Sequence, residues 1–410
     1  MIISPAKRLD NIQEYYFSKK LKEIAAMRSQ GIDVLNLGIG SPDLPPLPEV
    51  SRLLGEQSCL PDVHAYQPYL GIPELRNAFA GWYERFFGVK LDPASEVLPL
   101  IGSKEGIMHI AMTFLEAGDQ ALVPNPGYPS YKAASELAGA EVVEFPLTAE
   151  NNWLPDLDAL AQTDLSRVKI MWVNYPNMPT GAHANSVFFE KLIAFGKRHN
   201  ILIVNDNPYS FILNDDHLSL ISVAGAKDVA LELNSLSKSH NLAGWRVGVL
   251  AGRADYLGHV IRFKSNMDSG MFKPVQMAAA LALGASQNWY DALNATYRQR
   301  RKLACQLLDM LGCAYDPAAT GMFVWAKIPS HYKSGYELTD LLLNEAHVFI
   351  TPGGIFGSNG NGYVRISLCS KAEVFETAIS MVGQLSESFG TFGKLTDHRK
   401  LSNQPASILL

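Results

Sequence analysis

Lys238 lies in the string Asn234-Ser-Leu-Ser-Lys-Ser-His-Asn-Leu-Ala-Gly-Trp-Arg-Val-Gly248, between two short apolar runs at residues 229–233 and 247–251. Ser235 precedes it by three residues and Arg246 follows by eight. Short apolar runs of this kind read as buried strands, so the lysine sits on a connection at a strand end, where function concentrates. An amine, a hydroxyl and a guanidinium brought together there have the chemistry to hold a phosphorylated aldehyde: the amine forms an imine, and the other two meet the phosphate. On spacing alone, a solvated loop lysine is the commoner account.

Four further strings carry chemistry of the same kind. Ile101-Gly-Ser-Lys-Glu-Gly106 stands just before a helical pattern. Small residues at a helix start leave backbone N–H groups to face an anion, here those of Gly102, Ser103 and Lys104; an ordinary loop-to-helix turn would look the same. Asp206, in Asp-Asn-Pro-Tyr209, directly follows the run at 201–205, where an acid meets a ligand or merely caps a turn. Asn174-Tyr-Pro-Asn-Met-Pro-Thr-Gly181 also follows a strand-like run, and its prolines and glycine make a rigid turn. Arg365 interrupts the apolar pattern Tyr363-Val-Arg-Ile-Ser-Leu368. Buried, it requires an anionic partner, either a substrate carboxylate or a structural acid. Leu37-Gly-Ile-Gly40 opens like a dinucleotide fingerprint, but Pro42 and the missing third glycine spoil it. There is no Gly-x-Ser-x-Gly elbow, and the ten histidines show no metal-ligand spacing.

The elements that must position these residues follow from periodicity. Runs at 120–124, 168–173, 201–205, 229–233 and 247–251 are short and apolar, and Ile107, Ile110, Ala111, Phe114 and Leu115 fall at helical spacing before Gly118. Such alternation predicts an α/β fold, with a mostly parallel sheet flanked by helices and ligands at the carboxyl ends of its strands. A long helical pattern at 286–311 is followed by a smaller mixed α+β region. The expected division is a large unit at 48–285 and a small one built from 1–47 and 286–410, joined by that helix; from about residue 390 a loose tail is expected. A net charge of −5 without a basic run argues against nucleic acid or an anionic membrane as partner. The most apolar run, 275–285, falls short of the ~18 residues of a spanning helix. Four scattered cysteines and a polar N-terminus fit a cytoplasmic protein.

In this order, from about Asn36 to Leu368, the strings resemble the class I/II aminotransferases, fold-type I pyridoxal-phosphate enzymes; Ser-Leu-Ser-Lys…Gly-Trp-Arg-Val-Gly is the most specific part. The resemblance implies pyridoxal 5'-phosphate as cofactor and Lys238 as the Schiff-base lysine. It implies Asp206 for the ring nitrogen, Tyr209 for the ring hydroxyl and Tyr128, in Pro-Asn-Pro-Gly-Tyr-Pro, stacked on the ring. Gly102, Ser103, Lys104, Ser235 and Arg246 match the phosphate cradle. Arg365 matches the grip on the substrate's α-carboxylate, and Gly40 lines the entrance. Tyr66, in Tyr-Gln-Pro-Tyr-Leu-Gly, matches the tyrosine that reaches the partner subunit's phosphate, which implies a homodimer with shared active sites. One position departs: Met178 stands where the family's Asn-Pro-Thr-Gly loop begins, so no role carries over to it.

The implied reaction moves an amino group between an α-amino acid and a 2-oxo acid. A carbon–sulfur lyase or a non-catalytic pyridoxal-phosphate binder shares the same cofactor residues. Gly102-Ser-Lys-Glu-Gly106, Pro124-Asn-Pro-Gly-Tyr-Pro-Ser-Tyr131 and Asn266-Met-Asp-Ser-Gly-Met-Phe272 resemble the LL-diaminopimelate and alanine-using members. Arg262 or Lys264 is a candidate for a distal substrate carboxylate, or else a solvated surface charge.

Overall fold

The computed structural model describes residues 3–10, 12 and 16–389; the tail expected from residue 390 lies outside the described residues. Its strands, in chain order, are β1 (Leu35–Asn36), β2 (Val97–Leu100), β3 (Gln120–Asn125), β4 (Glu141–Pro146), β5 (Val168–Val173), β6 (Leu202–Asp206), β7 (Ala230–Ser235), β8 (Gly248–Gly252), β9 (Ala314–Tyr315), β10 (Phe323–Lys327), β11 (Val348–Phe349), β12 (Thr351–Pro352) and β13 (Tyr363–Ser367). Each apolar run read as a strand is one, within a residue or two at its ends.

The central sheet runs β2-β8-β7-β6-β5-β3-β4. Its β4, β3, β5, β6 and β7 are parallel to one another, and β8 lies antiparallel to both β7 and β2. Helices cover both faces, which is why the inner strands are apolar at nearly every position rather than at alternate ones. Met171 and Val173 of β5 face one layer, packed with Phe79, Trp82 and Tyr83 of the Pro73–Phe87 helix and Phe189 of the Ser186–His199 helix. The alternate residues Ile170 and Trp172 face the other, with Ile107 and Ile110 of the Ser103–Phe114 helix and Tyr131 of the Pro129–Leu137 helix. The apolar run at 275–285 lies mostly in the Lys273–Leu283 helix and packs into the first of these layers. Among the described residues no helix is long and apolar enough to cross a membrane.

A second, antiparallel sheet, β12-β13-β10-β9, has its own apolar core with the Gln287–Met310 and Ala372–Phe389 helices. The chain's beginning joins this side, because β1 pairs with β11. The long helical pattern expected at 286–311 is the Gln287–Met310 helix. Its buried Arg300 grips Asp43 through two parallel bonds (2.7 and 2.9 Å) and also donates to the Leu368 carbonyl (3.1 Å). That fork ties the segment after Gly40 to the end of β13, so the two sheets meet around one cavity.

Candidate active site

Parallel strands end on the same side of their sheet, and the connections leaving them converge there. Asp206 is the last residue of β6 and Ser235 the last of β7; Lys238 follows on the single-turn helix Leu236–Ser239. Asn174 leaves β5, Tyr128 caps the helix that follows β3, and Ser103 opens the helix that follows β2. Arg246 enters from the antiparallel β8. From the second sheet, β13 brings Arg365. The result is a cavity of about 720 Å³ lined by Gly40, Ser103, Lys104, Tyr128, Asp206, Tyr209, Ser235, Lys238, Arg246 and Arg365 together.

Lys238 Nζ donates to the Gly40 carbonyl at 2.6 Å. Burial pulls its ammonium below the usual lysine range; the Cys369 thiol opposes this, and the cations of Arg365 and Arg246 add to it. Asp206 is buried, and its Oδ2 accepts from the Tyr131 hydroxyl at 2.9 Å. Tyr131 is itself fixed by stacking on Trp172 at 5.4 Å. Asp206 Oδ1 is sealed from water without a partner. Burial pushes this carboxyl up to about 7, against the Tyr131 bond, which lowers it; the Glu232 carboxylate adds to the rise. Burial likewise raises the Tyr209 phenol, which stays a hydrogen-bond donor.

The anion-binding end is shaped by absent side chains. Gly102 has φ +84°, and a Cβ there would lie 2.2 Å from Arg246 Nη2. A Cβ on Gly248 would meet the Ser103 backbone nitrogen at 2.6 Å. Arg246 holds a left-handed backbone (φ 58°) and donates from Nη1 to the Ala243 carbonyl (2.8 Å). Ser235 Oγ accepts from the Ser237 N–H at 3.1 Å.

Arg365 is stacked over Phe323 (3.9 Å), Phe356 (4.7 Å) and Phe17 (5.7 Å). It donates to the Gly38 carbonyl (2.9 Å) and lies 3.3 Å from the Met178 sulfur. Met178 is thus buried against the guanidinium, and its own N–H is held by Asn174 Oδ1 (2.7 Å). The Asn174 amide donates in turn to the Asp206 carbonyl.

Sequence reasoning assigned nothing to Tyr131 or Asn174, although both lay inside strings it had quoted. It also missed Phe17, Phe323 and Phe356, whose separation along the chain leaves no local signal. Tyr66 is 90% exposed and stands outside the cavity. Neither Arg262 nor Lys264 lines the cavity: Arg262 is an exposed surface charge, whereas Lys264 fits neither expectation and is corrected, being buried with its ammonium 2.8 Å from both oxygens of Asp268. Glu105 and His109 gather beside Asp268, where Lys264 already supplies the positive charge.

The cavity fits pyridoxal phosphate on three counts. An unpartnered buried carboxylate oxygen suits a cationic ring nitrogen, a helix start beside an arginine suits a phosphate, and a buried amine suits an aldehyde. The family profile "Aminotransferase class I and II" matches residues 32–381. The LL-diaminopimelate aminotransferase of Dehalococcoides mccartyi is 43% identical over 385 residues, covering 93% of this chain and 99% of its own. That of Nitratidesulfovibrio vulgaris is 40% identical, covering 93% and 98%. The apo structure of BacF from Bacillus subtilis superimposes with a TM-score of 0.90 at 37% identity, over 94% of this chain and 98% of that one. The chain belongs to the class I and II aminotransferases. It is a pyridoxal-phosphate-dependent transaminase acting between amino acids and 2-oxo acids.

The Asp206 carboxyl makes the cofactor-free protein pH-sensitive in a defined direction. Its pKa rises from 3.8 to about 7 on folding, so its contribution to stability is complete below pH 3.8 and lost as pH climbs through about 7. Chemical denaturation of apoprotein across this window therefore shows wild type losing stability relative to Asp206→Asn; parallel curves refute the burial argument.

Proposed function

We propose that ten of the residues lining the cavity, with Gly102, divide the work of transamination as follows. When bound, pyridoxal phosphate supplies an aldehyde that condenses with amines and a ring that accepts electron density. Lys238 holds the cofactor's aldehyde carbon and, once released, moves the proton at the substrate's Cα as general base and acid. Its depressed ammonium pKa suits that exchange. Asp206 keeps the ring nitrogen protonated, and Tyr209 donates to the ring hydroxyl. Tyr128 covers the ring face. The backbone at Gly102 and Ser103, the Ser235 hydroxyl, Lys104 and Arg246 hold the phosphate. Arg365 grips the α-carboxylate with a fork that its aromatic stacking and the Gly38 carbonyl pre-orient. Gly40 keeps the entrance narrow, since a Cβ there would lie 2.4 Å from Phe323.

The observation that carries this reading is the convergence of Lys238 Nζ, the unpartnered Asp206 Oδ1 and the Arg365 fork on one cavity. The relatives' activity supports LL-diaminopimelate as amino donor. The apolar cores support the division into a large unit (48–285) and a small unit (1–47 and from 286 on), of which residues 390–410 lie outside the described residues. Free cysteines, one of them exposed, support a cytoplasmic setting. A homodimer is supported by an exposed apolar patch. Leu60, Tyr66, Tyr69, Leu70, Met267 and Phe272 all stand out from the surface, and two contacts join their segments. His64 stacks on Phe272 at 5.8 Å, and a Cβ on Gly270 would lie 2.7 Å from the Gln67 carbonyl. The exposure of Tyr66, on that patch, supports the role of reaching the partner subunit's phosphate.

Four outcomes are expected. Borohydride reduction of the yellow holoenzyme followed by peptide mapping places the cofactor on Lys238, and a screen of amino donors against 2-oxoglutarate gives the highest kcat/KM with LL-diaminopimelate. A label on another lysine, or a preference for a different donor, sinks the corresponding half of the reading. Sedimentation equilibrium reads twice the 45.0 kDa chain mass; a monomer with full activity removes the shared-site assignment. Met178→Asn restores an amide beside Arg365 and raises turnover of simple α-amino acids about tenfold, the worth of one hydrogen bond in the transition state. Turnover that falls for every donor instead assigns Met178 to substrate packing.

A further inference from the structure

Glu232, on β7, is fully buried and has no part in the roles above. Its Oε1 accepts from the hydroxyls of Tyr83 (3.2 Å) and Ser219 (2.7 Å), and its Oε2 from the Asn205 amide (3.1 Å) and the Leu220 N–H (2.8 Å). All four donors are neutral. A glutamine would meet the same four groups: its carbonyl would accept from Asn205 and Leu220, and its amide would donate to the Tyr83 and Ser219 oxygens. It would do so without the cost of taking an anion out of water. What glutamate alone supplies at this position is a charge: burial raises its carboxyl above the ordinary range, and the donors from Ser219, Leu220, Asn205 and Asn207 oppose that rise by favouring the anion.

That charge stands one strand away from Asp206. Glu232 is in register with Asn205, and Asp206 with Leu233, on adjacent strands that run about 4.8 Å apart. Alternation along the strands puts the two carboxylates on opposite faces of the sheet. Asp206 lies with Tyr131 on one side, and Glu232 with Tyr83 on the other. Asn205 bridges the pair along the chain, for its amide meets Glu232 while its Oδ1 accepts the Tyr175 N–H (3.0 Å). The residue after Asp206 is tied to the same strand, Asn207 N–H donating to the Leu233 carbonyl at 2.8 Å.

We propose that Glu232 is a positioning residue of the cofactor site whose buried negative charge works with Asp206 to keep the proton on the cofactor's ring nitrogen. The inference rests on Asp206 being the residue that meets that nitrogen. A second anion beside a proton shared by a carboxylate and a pyridine makes its departure harder, so the nitrogen stays protonated to higher pH. The other titratable groups facing these carboxylates are phenols. Tyr83, from the Pro73–Phe87 helix, faces Glu232; Tyr131, from the Pro129–Leu137 helix, and Tyr209 face Asp206. Burial raises all three above the ordinary tyrosine range, so they stay neutral throughout.

The test loads holoenzyme with pyridoxal phosphate carrying nitrogen-15 in the ring and follows that nitrogen's chemical shift with pH. Glu232→Gln, which keeps the contacts and removes the charge, lowers the pH at which the nitrogen loses its proton by roughly one unit. Glu232→Asp, which keeps the charge, titrates with wild type. The same midpoint in wild type and Glu232→Gln overturns the proposal. So do equal shifts in Glu232→Gln and Glu232→Asp, or a Glu232→Gln protein that does not fold, since each makes the role one of shape. Asp206→Asn separates the underlying assignment: if that variant titrates like wild type, Asp206 does not meet the nitrogen. If it shifts while Glu232→Gln does not, the charge role of Glu232 alone fails.

Discussion

A carboxylate with one oxygen closed off from water and from every protein donor is an expensive thing to bury, and Asp206 is built that way. Without a cation beside it, burial pushes this carboxyl up to about 7; in the assignment we propose, the cofactor's ring nitrogen would meet the need for positive charge. The surroundings of Asp206 are arranged around that need. The end of β6 places it at the mouth of a parallel sheet, and the neighbouring strands β5 and β7 deliver Asn174 and Ser235 to the same rim. Tyr131, clamped face to face on Trp172, satisfies the other carboxylate oxygen and fixes its orientation. The aspartate therefore cannot rotate away from a ring bound above it.

Asn174 links this constraint to the substrate side. One amide group donates to the Asp206 carbonyl and accepts the Met178 N–H, and the Met178 sulfur lies against the Arg365 guanidinium. Two side chains thus link the Asp206 backbone to the Arg365 guanidinium. Arg365 is held from the opposite direction by the Gly38 carbonyl and by three phenylalanines from distant parts of the chain. A planar cation stacked in this way loses little further freedom when it binds a carboxylate, which favours tight orientation of the substrate. Placing a thioether at position 178 rather than an amide gives the guanidinium a soft neighbour with weak accepting power and no donor.

The end of the cavity proposed for the phosphate depends on space rather than on contacts. Gly102 and Gly248 leave the room through which Arg246 and the start of the Ser103–Phe114 helix approach each other, and any side chain at either position would collide with them. Here the backbone supplies donors, and the helix start supplies the favourable dipole.

Most of the fold was legible along the chain because its signals are local. Strands covered on both faces are continuous apolar runs, so the parallel β3, β5, β6 and β7 and the antiparallel β8 are visible as such, and the long Gln287–Met310 helix shows in its periodicity. The residues proposed for the cofactor could be nominated from the sequence because they stand in recognisable strings near strand ends and helix starts. Met178 was visible only as a departure from such a string. What the sequence by itself determined is the order of the elements and the chemistry carried at their ends. Tertiary structure alone decided which distant groups share a cavity. Phe17, Phe323 and Phe356 surround Arg365 because two sheets close on one another, and no spacing encodes that. Lys264, an exposed-looking charge in sequence, was drawn into a buried pair with Asp268. The unpartnered oxygen of Asp206 and the hidden charge of Glu232 likewise exist only in the folded molecule. Burial, the property that sets the proton affinity of a carboxyl group, belongs to the packing of the whole chain and not to any segment of it.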